Sequence, residues 1–299
     1  MQSSIVSYPD RGPWGKSNWR GNASGYVYRD LFEQYKPQSF VDCCVGSGTS
    51  IEVAKEMKIP FAVGLDLHSG FNVLKDSIVE TVGREVEMCF NHTPYHDLVV
   101  YSGQVWGSNP HPDDLSRCPN VDDFLEKLHI MLLNQREAVL PGFYYGTLVG
   151  DMRRAGQYHC FAAEMMARMP RNELASVVIK AQHNCVSDKR QYANMKHPRI
   201  MHEYIVLWQK PKAITSMLMD LSNMAKDAAS RLTSIWRAIV KNALIALGGQ
   251  SNLETLYQRI EKDSPDKLKS NKNWQAKIRQ VLQSYSDFAS VDRGVWRLA

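Results

Sequence analysis

Between residues 27 and about 210, short runs that are apolar at almost every position alternate with stretches whose apolar residues recur at helical spacing. The runs FVDCC, FAVGLD, VEMCFN, YYGTLVGD, ASVVIKA and EYIVLWQK read as strands, and Ile51, Val53, Ala54 and Met57 mark one of the intervening helices. Strands without a polar face are buried on both sides. Their alternation with helices therefore predicts an α/β domain with a mainly parallel sheet and helices on both faces. The run ending in Gln209 alternates and carries Trp208, the pattern of a terminal antiparallel strand at an edge. After Pro211 the pattern becomes one long amphipathic helix over 215–247, stopped by Gly248 and Gly249. Two shorter helical segments follow at 252–261 and 273–283. A terminal hairpin turns at Asp292, Arg293 and Gly294. The chain is expected to divide into a large domain over 1–212, a connecting helix over 213–249 and a small domain over 250–299.

A chain of 299 residues with 44% hydrophobic content can bury a full core. No run of eighteen apolar residues occurs, and the first fifteen residues lack a basic start followed by an apolar core. A soluble, cytoplasmic protein without a membrane partner is expected. Six cysteines include the adjacent Cys43 and Cys44 but no C-x-x-C pair, which suits reduced thiols better than a disulfide framework or a zinc site. Of the net charge of +5, all lies beyond residue 213, where thirteen Lys and Arg meet eight Asp and Glu; the remainder balances at 23 of each. That placement favours a polyanionic partner for the C-terminal part.

The segment from Phe40 to Ser50, FVDCCVGSGTS, carries the most chemistry. An apolar strand ends at Asp42, Gly46 and Gly48 allow a sharp turn and a close backbone approach to a ligand, and a helix begins. The next strand closes on Asp66, where a carboxylate can take both hydroxyls of a ribose. The glycines are too few for G-x-G-x-x-G, and no Lys-Ser or Lys-Thr follows. A nucleoside ligand without a pyrophosphate fits this turn best.

The motif D-x-x-x-G-S-G-T-S, with an Asp ending the following strand, resembles the cofactor motif of S-adenosylmethionine-dependent amino-methyltransferases that act on nucleic acid bases. That resemblance implies a Rossmann-like methyltransferase sheet with S-adenosylmethionine held by Asp42, Cys43, Gly46, Ser47, Gly48, Asp66, Leu67 and Asn72. Phe71 or Asn72 would lie beside the adenine, and upstream Asn22 and Ser24 would hold the methionine carboxylate. Only about twenty residues separate Asp66 from the next strand, so a helix and a strand are compressed there.

In the same family a strand-end motif of Asp, Asn or Ser followed by Pro-Pro and an aromatic binds the target amino group and stacks on the flipped base. Its counterpart here is His92, Thr93, Pro94 and Tyr95, within the stretch from Asn91 to Asp97. His92 and Thr93 depart from the family pattern. The imidazole can accept only when neutral, and Asn91 and Asp97 are alternative acceptors. Polar and aromatic loops supply further candidates for substrate contact: Tyr101, Trp106, Asp113, Asp114 and Asp151, with Lys189, Arg190, Lys196, His197 and Arg199 placed for phosphates.

The segment 248–298 resembles the winged-helix modules of bacterial restriction and modification proteins, through Leu253, Leu256, Tyr257, the stretch from Asn273 to Arg279, and Gly294, Val295 and Trp296. The resemblance implies a helix carrying Lys272, Lys277, Arg279 and Gln280 into the DNA major groove, with Arg293 at the wing. Trp274, Ile278 and Leu282 belong to its core.

The expected protein is therefore a bacterial or phage-encoded, nucleoid-associated DNA methyltransferase acting on an exocyclic amino nitrogen. Adenine N6 comes first, cytosine N4 second and an RNA base third. DNA is the expected partner, with a restriction or defence protein as a further one. The rival is a non-catalytic DNA-binding protein that has kept the cofactor pocket.

Overall fold

The computed structural model describes residues 1, 3–183, 196–212, 236–269 and 271–299. The chain forms two compact units, Met1–Leu74 with Ile78–Lys210, and Lys75–Ser77 with Pro211–Ala299.

In the larger unit the strands are β1 (Ile5–Ser7), β2 (Ser39–Asp42), β3 (Phe61–Gly64), β4 (Val86–His92), β5 (Val139–Gly150), β6 (Met152–Arg154), β7 (Gln157–His159), β8 (Leu174–Ala181) and β9 (His202–Gln209). The helices are α1 (Gly25–Tyr35), α2 (Thr49–Glu56), α3 (Ile78–Val82), α4 (Val121–Ala138) and α5 (Phe161–Arg168). Seven strands make one sheet in the order β1-β8-β9-β5-β4-β2-β3. The β3, β2, β4 and β5 strands run parallel, and β9 lies antiparallel to both β5 and β8. The α/β sheet expected from the alternating pattern is thus present.

From β2 the chain crosses outward to β3, and from β4 it crosses to β5 in the opposite direction. Right-handed crossovers in opposite directions put their helices on opposite faces. Accordingly α1 packs on α2, while α3 and α5 pack on α4. On the first face Phe40, Met88, Phe90, Leu148, Ile205 and Leu207 meet Val27, Leu31, Phe32, Val53 and Ala54. Strand period two sends Val41, Cys89, Tyr145, Val149 and Trp208 to the other face, and they are buried too. Each such side chain contributes about 1.5–3 kcal/mol through removal from water.

Three features differ from the sequence reading. Strand β9 is interior, because β8 and the short β1 continue the sheet beyond it, and Trp208 is 0% exposed. Strand β5 begins five residues earlier than its apolar run, at Val139. The β6–β7 hairpin carried no apolar alternation to reveal it. Between β3 and β4 lie only a 3-10 turn at Leu67–Ser69 and the five-residue α3, so the compression expected there is real and β3 is left at the edge.

The smaller unit contains α6 (Trp236–Ala246), β10 (Gln250–Asn252), α7 (Leu253–Asp263), α8 (Pro265–Lys269), α9 (Trp274–Ser284), β11 (Phe288–Asp292) and β12 (Val295–Leu298). Its three strands pair antiparallel in the order β10-β12-β11. Leu256, Ile260, Ile278, Val281, Leu282 and Phe288 form its buried interior. Gly248 and Gly249 end α6 with positive φ of 83° and 89°. Of the helix expected over 215–247, residues up to 235 lie outside the described ones. Asp287 is buried between Arg237 (2.9 Å) and Lys241 (3.0 Å).

Candidate functional site

Strand β2 neighbours both β3 and β4, so the chain leaves the sheet in opposite directions on its two sides. In open α/β sheets such a switch point leaves a crevice beyond the carboxyl ends of the strands. Here the crevice encloses about 800 Å³, open solvent at its mouth included.

One wall is the glycine turn. Gly46 and Gly48 have φ of 51° and 95°, a left-handed conformation that side chains resist. The Gly46 N–H donates to Asp66 Oδ2 at 2.9 Å, and the His68 N–H to Asp66 Oδ1 at 3.1 Å. The His68 ring also meets Asp66 at 2.8 Å, and this bond raises its pKa. A carboxylate has about four acceptor positions, so Asp66 keeps capacity toward the crevice, which it lines. Thr49, the first residue of α2, lines it as well. Its Oγ1 is buried and has no hydrogen-bond partner among the described residues.

Asp42 stands behind this wall. Its carboxylate accepts from the Cys44 N–H at 2.9 Å and the Ser50 hydroxyl at 2.6 Å, and it is 1% exposed. Burial pushes its pKa up to about 7 against the pull of those hydrogen bonds. Asp42 shapes the turn and does not line the crevice. The same holds for Ser47, whose hydroxyl donates to Asn22 Oδ1 at 2.8 Å and accepts from the Lys16 N–H at 3.1 Å. Ser24 is turned toward the carbonyl of Asp10 at 3.2 Å. Gly48 caps α2 behind the lining. Asn22, Cys43, Gly46, Asp66, Leu67, Phe71 and Asn72 do face the crevice. Asn72 is already engaged, donating to Asp113 Oδ2 at 2.8 Å and accepting from the Leu74 N–H at 3.1 Å.

His92 and Pro94, at the end of β4, form the opposite wall. His92 Nε2 lies 2.7 Å from the Tyr95 hydroxyl, which donates to Glu203 Oε1 at 2.7 Å. Glu203 also receives Lys180 at 2.7 Å and Gln182 at 2.8 Å. Lys180 holds the Glu203 pKa down to about 2 although burial opposes it, and burial lowers that of His92. Tyr95 does not line the crevice. Its ring lies against Gly150, where a Cβ would fall 2.5 Å from it. Thr93 is buried and its Oγ1 has no partner among the described residues.

Neither alternative acceptor reaches the crevice. Asn91 donates to Cys44 Sγ and Met131 Sδ, each at 3.2 Å, on the α4 face. Asp97 is held by His96 and Arg154.

Tyr101, Trp106, Asp113 and Asp114 also line the crevice. Trp19 lines it too, although the sequence reading did not single it out. A Cβ on Gly46 would sit 3.0 Å from Trp19 Nε1, and the tryptophan ring lies 5.3 Å from that of His68. The signal for it was its place in the Gly-rich segment before α1. Asp151 accepts from Tyr158 at 2.6 Å at the base of the β6–β7 hairpin.

Lys189 and Arg190 lie outside the described residues, while Lys196, His197 and Arg199 are exposed before β9. In the smaller unit Lys272, Arg279 and Arg293 are exposed and Lys277 is half-buried. Arg279 donates to the Tyr257 hydroxyl at 3.0 Å and Lys277 to Gln280 at 3.2 Å. Among the described residues no group of acidic, His and Cys side chains is placed to hold a metal, and no helix is long and apolar enough to cross a membrane.

No protein-family model matches the chain, and no curated protein matches it. Solved structures resemble it distantly. A putative DNA modification methylase from Thermus thermophilus is 14% identical, with 58% of this chain and 53% of that chain covered at a TM-score of 0.28. A structure of a putative DNA modification methylase from the same organism complexed with S-adenosyl-L-methionine is 21% identical over 36% of this chain and 46% of that chain, with a TM-score of 0.23. TrmN from Thermus thermophilus is 11% identical over 64% of this chain and 51% of that chain, with a TM-score of 0.36. The chain spans about half the length of these proteins. Likenesses this distant carry no argument about activity, which rests on the crevice.

Proposed function

We propose that this chain is an S-adenosylmethionine-dependent methyltransferase that acts on an exocyclic amino nitrogen of a nucleic acid base, adenine N6 before cytosine N4. The observation that carries the reading is the switch-point crevice, which brings the Asp66 carboxylate and the glycine turn to face His92 and Pro94. The donor set suits the cofactor. Asp66 has acceptor positions left for ribose hydroxyls, and the buried Thr49 hydroxyl, which has no partner among the described residues, lines the same crevice as Asn22, near which a methionine carboxylate would lie. Phe71 and Val73 offer apolar surface to an adenine ring.

When bound, S-adenosylmethionine would supply an electrophilic methyl group on a sulfonium sulfur, which would keep the electron pair of the S–CH3 bond as the amino nitrogen takes the methyl. This chain's residues position the two reactants and accept hydrogen bonds from the amino group. His92 and the Thr93 carbonyl are the candidates at the strand end. Trp106 and Tyr101, which line the crevice, offer faces on which a flipped base can stack. The smaller unit is read as a winged helix with α9 as its recognition helix. Along α9, Gln275, Arg279 and Gln283 are exposed four residues apart, a face suited to base edges and phosphates.

Calorimetry with S-adenosylmethionine tests the cofactor, and Asp66→Ala is expected to weaken binding roughly 10–100-fold by removing charge-assisted hydrogen bonds. Tritiated cofactor incubated with unmodified DNA and with total RNA, followed by nucleoside analysis, tests the substrate. Labelled N6-methyladenine or N4-methylcytosine in DNA is the expected product. Binding without label in either polymer would favour the non-catalytic reading, and an absence of cofactor binding would end both.

A further inference from the structure

Asp113 and Asp114 adjoin in the chain and both line the crevice, yet their surroundings differ. Asp114 is 4% exposed and already filled: its Oδ1 accepts from the Ser116 N–H at 2.8 Å and the Ser116 hydroxyl at 2.7 Å, and its Oδ2 from the Ser102 N–H at 2.7 Å. It ties the connection between β4 and α4 to itself, as does Arg117, which donates to the Ser102 carbonyl at 2.8 Å. Asp113 reaches out of that connection instead, and its Oδ2 accepts from Asn72 Nδ2 at 2.8 Å. The Leu74 N–H donates to Asn72 Oδ1 at 3.1 Å. With the amide turned over, an oxygen would face the carboxylate and an N–H the Leu74 N–H, so Nδ2 stays toward Asp113. Asn72 stands between Phe71 and Val73, which are buried and, with Leu115, give the crevice apolar surface on this side. Strand β3 is the outermost of the sheet here, so loops build the wall beyond it: residues 67–74 and the β4–α4 connection.

We propose that Asp113, positioned by Asn72, selects adenosine as the nucleoside of the cofactor by accepting a hydrogen bond from the exocyclic amino group of its adenine. This rests on the methyl-transfer reading above and names the group that sets the specificity of the cofactor site. With the ribose hydroxyls on Asp66, the base extends toward the side where Phe71, Val73 and Leu115 stand. Apolar walls hold any purine alike. What separates adenine from hypoxanthine or guanine is an amino donor at C6, where the other two carry a carbonyl. A carboxylate has about four acceptor positions and, while ionised, no proton to give, so it receives that amino group and repels a carbonyl oxygen in the same place. The other crevice carboxylates are committed, Asp66 to the Gly46 and His68 N–H groups and the ribose, Asp114 to its own loop. No Lys or Arg is among the lining residues to offer a carbonyl a cationic donor instead. The β4–α4 connection also carries Tyr101 and Trp106, so one loop meets both the base of the cofactor and the base to be methylated.

The test is calorimetry of the full chain with S-adenosylhomocysteine and with S-inosylhomocysteine, which carries a carbonyl in place of the amino group and is otherwise the same. The unaltered protein is expected to bind the adenosyl compound roughly 100-fold more tightly, because a site built to accept from a donor rejects an analogue that lacks it. Asp113→Asn keeps an oxygen for Asn72 and adds an N–H that a carbonyl can use. It is expected to narrow the ratio to about 10-fold or less, mainly by tightening the inosyl compound. Asn72→Ala leaves Asp113 in place without its support and is expected to narrow the ratio as well. Asp66→Ala is expected to weaken both compounds by the same factor and leave the ratio as it was, since their riboses are identical. A ratio near one in the unaltered protein, or a ratio that neither Asp113→Asn nor Asn72→Ala changes, would overturn this proposal and leave the methyl-transfer reading standing. If the unaltered protein binds neither compound and S-adenosylmethionine no better, both are overturned together.

Discussion

Asp42 and Asp66 both end strands beside the glycine turn, and in the sequence they look alike. Packing separates them: Asp42 is enclosed by Tyr28, Ser50 and the Cys44 N–H, while Asp66 meets the crevice. Enclosure has a thermodynamic consequence. With a folded pKa of about 7 against 3.8 in the unfolded chain, Asp42 holds its proton more tightly when folded. Its contribution is most favourable below pH 3.8 and declines as pH rises toward 7, by a few kcal/mol at most, about 1.4 kcal/mol per pKa unit. Asp42→Asn, which keeps an oxygen for Cys44, is therefore expected to gain in melting temperature relative to the parent between pH 4 and 7.5. A constant difference across that range would contradict it. Glu203 runs the other way: its depressed pKa stabilises the fold above about 4.5, and that contribution is lost toward pH 2.

At the scale of elements, the β2 turn depends on how closely β3 approaches it. A Cβ on Gly64 would fall 2.6 Å from Val45 Cγ2 and 3.0 Å from Ile51 Cγ1. Gly64→Ala is expected to cost about 1–3 kcal/mol by overpacking. It should also weaken cofactor affinity, since Val45 adjoins Gly46, and thermal melts with and without S-adenosylmethionine would show both effects. On α9 the sequence period placed Ile278 and Leu282 inward, and both are buried; Gln275, Arg279 and Gln283 are exposed, whereas Lys277 and Trp274 are half-buried and Lys272 precedes the helix. If that face meets DNA phosphates, removing Arg279 should lower the slope of log affinity against log salt by about 1. Fluorescence anisotropy of a labelled duplex across a potassium chloride series reads this directly. An unchanged slope would mean that Arg279 serves Tyr257 only.

Across the whole larger unit, β9 lies inside the sheet, between β5 and β8. Trp208 is buried on an interior strand and stacks on Tyr145 at 5.7 Å with an interplanar angle of 13°. Trp208→Ala is expected to cost about 3–5 kcal/mol in urea unfolding. Its Nε1–H, however, is buried with no partner among the described residues. Trp208→Phe therefore removes an unsatisfied donor whose burial costs about 1–3 kcal/mol, and it should be far milder than the loss of a large side chain suggests. Equal destabilisation by both substitutions would show that the indole N–H is satisfied.

Periodicity and spacing alone determined β2, β3, β4, β8, β9 and the apolar part of β5, the helix α2, the glycine turn, Asp66 at the next strand end and His92 to Pro94 at another, because hydrophobic period and turn chemistry are local properties of a chain. The tertiary structure alone decided sheet order, and so the interior place of β9 and the edge place of β3. It also turned Asp42 inward, and it drew Glu203, held by Lys180 and far along the chain from Tyr95, onto the Tyr95 hydroxyl. Such contacts join positions about a hundred residues apart, and only the packing of the strands that carry them brings them together.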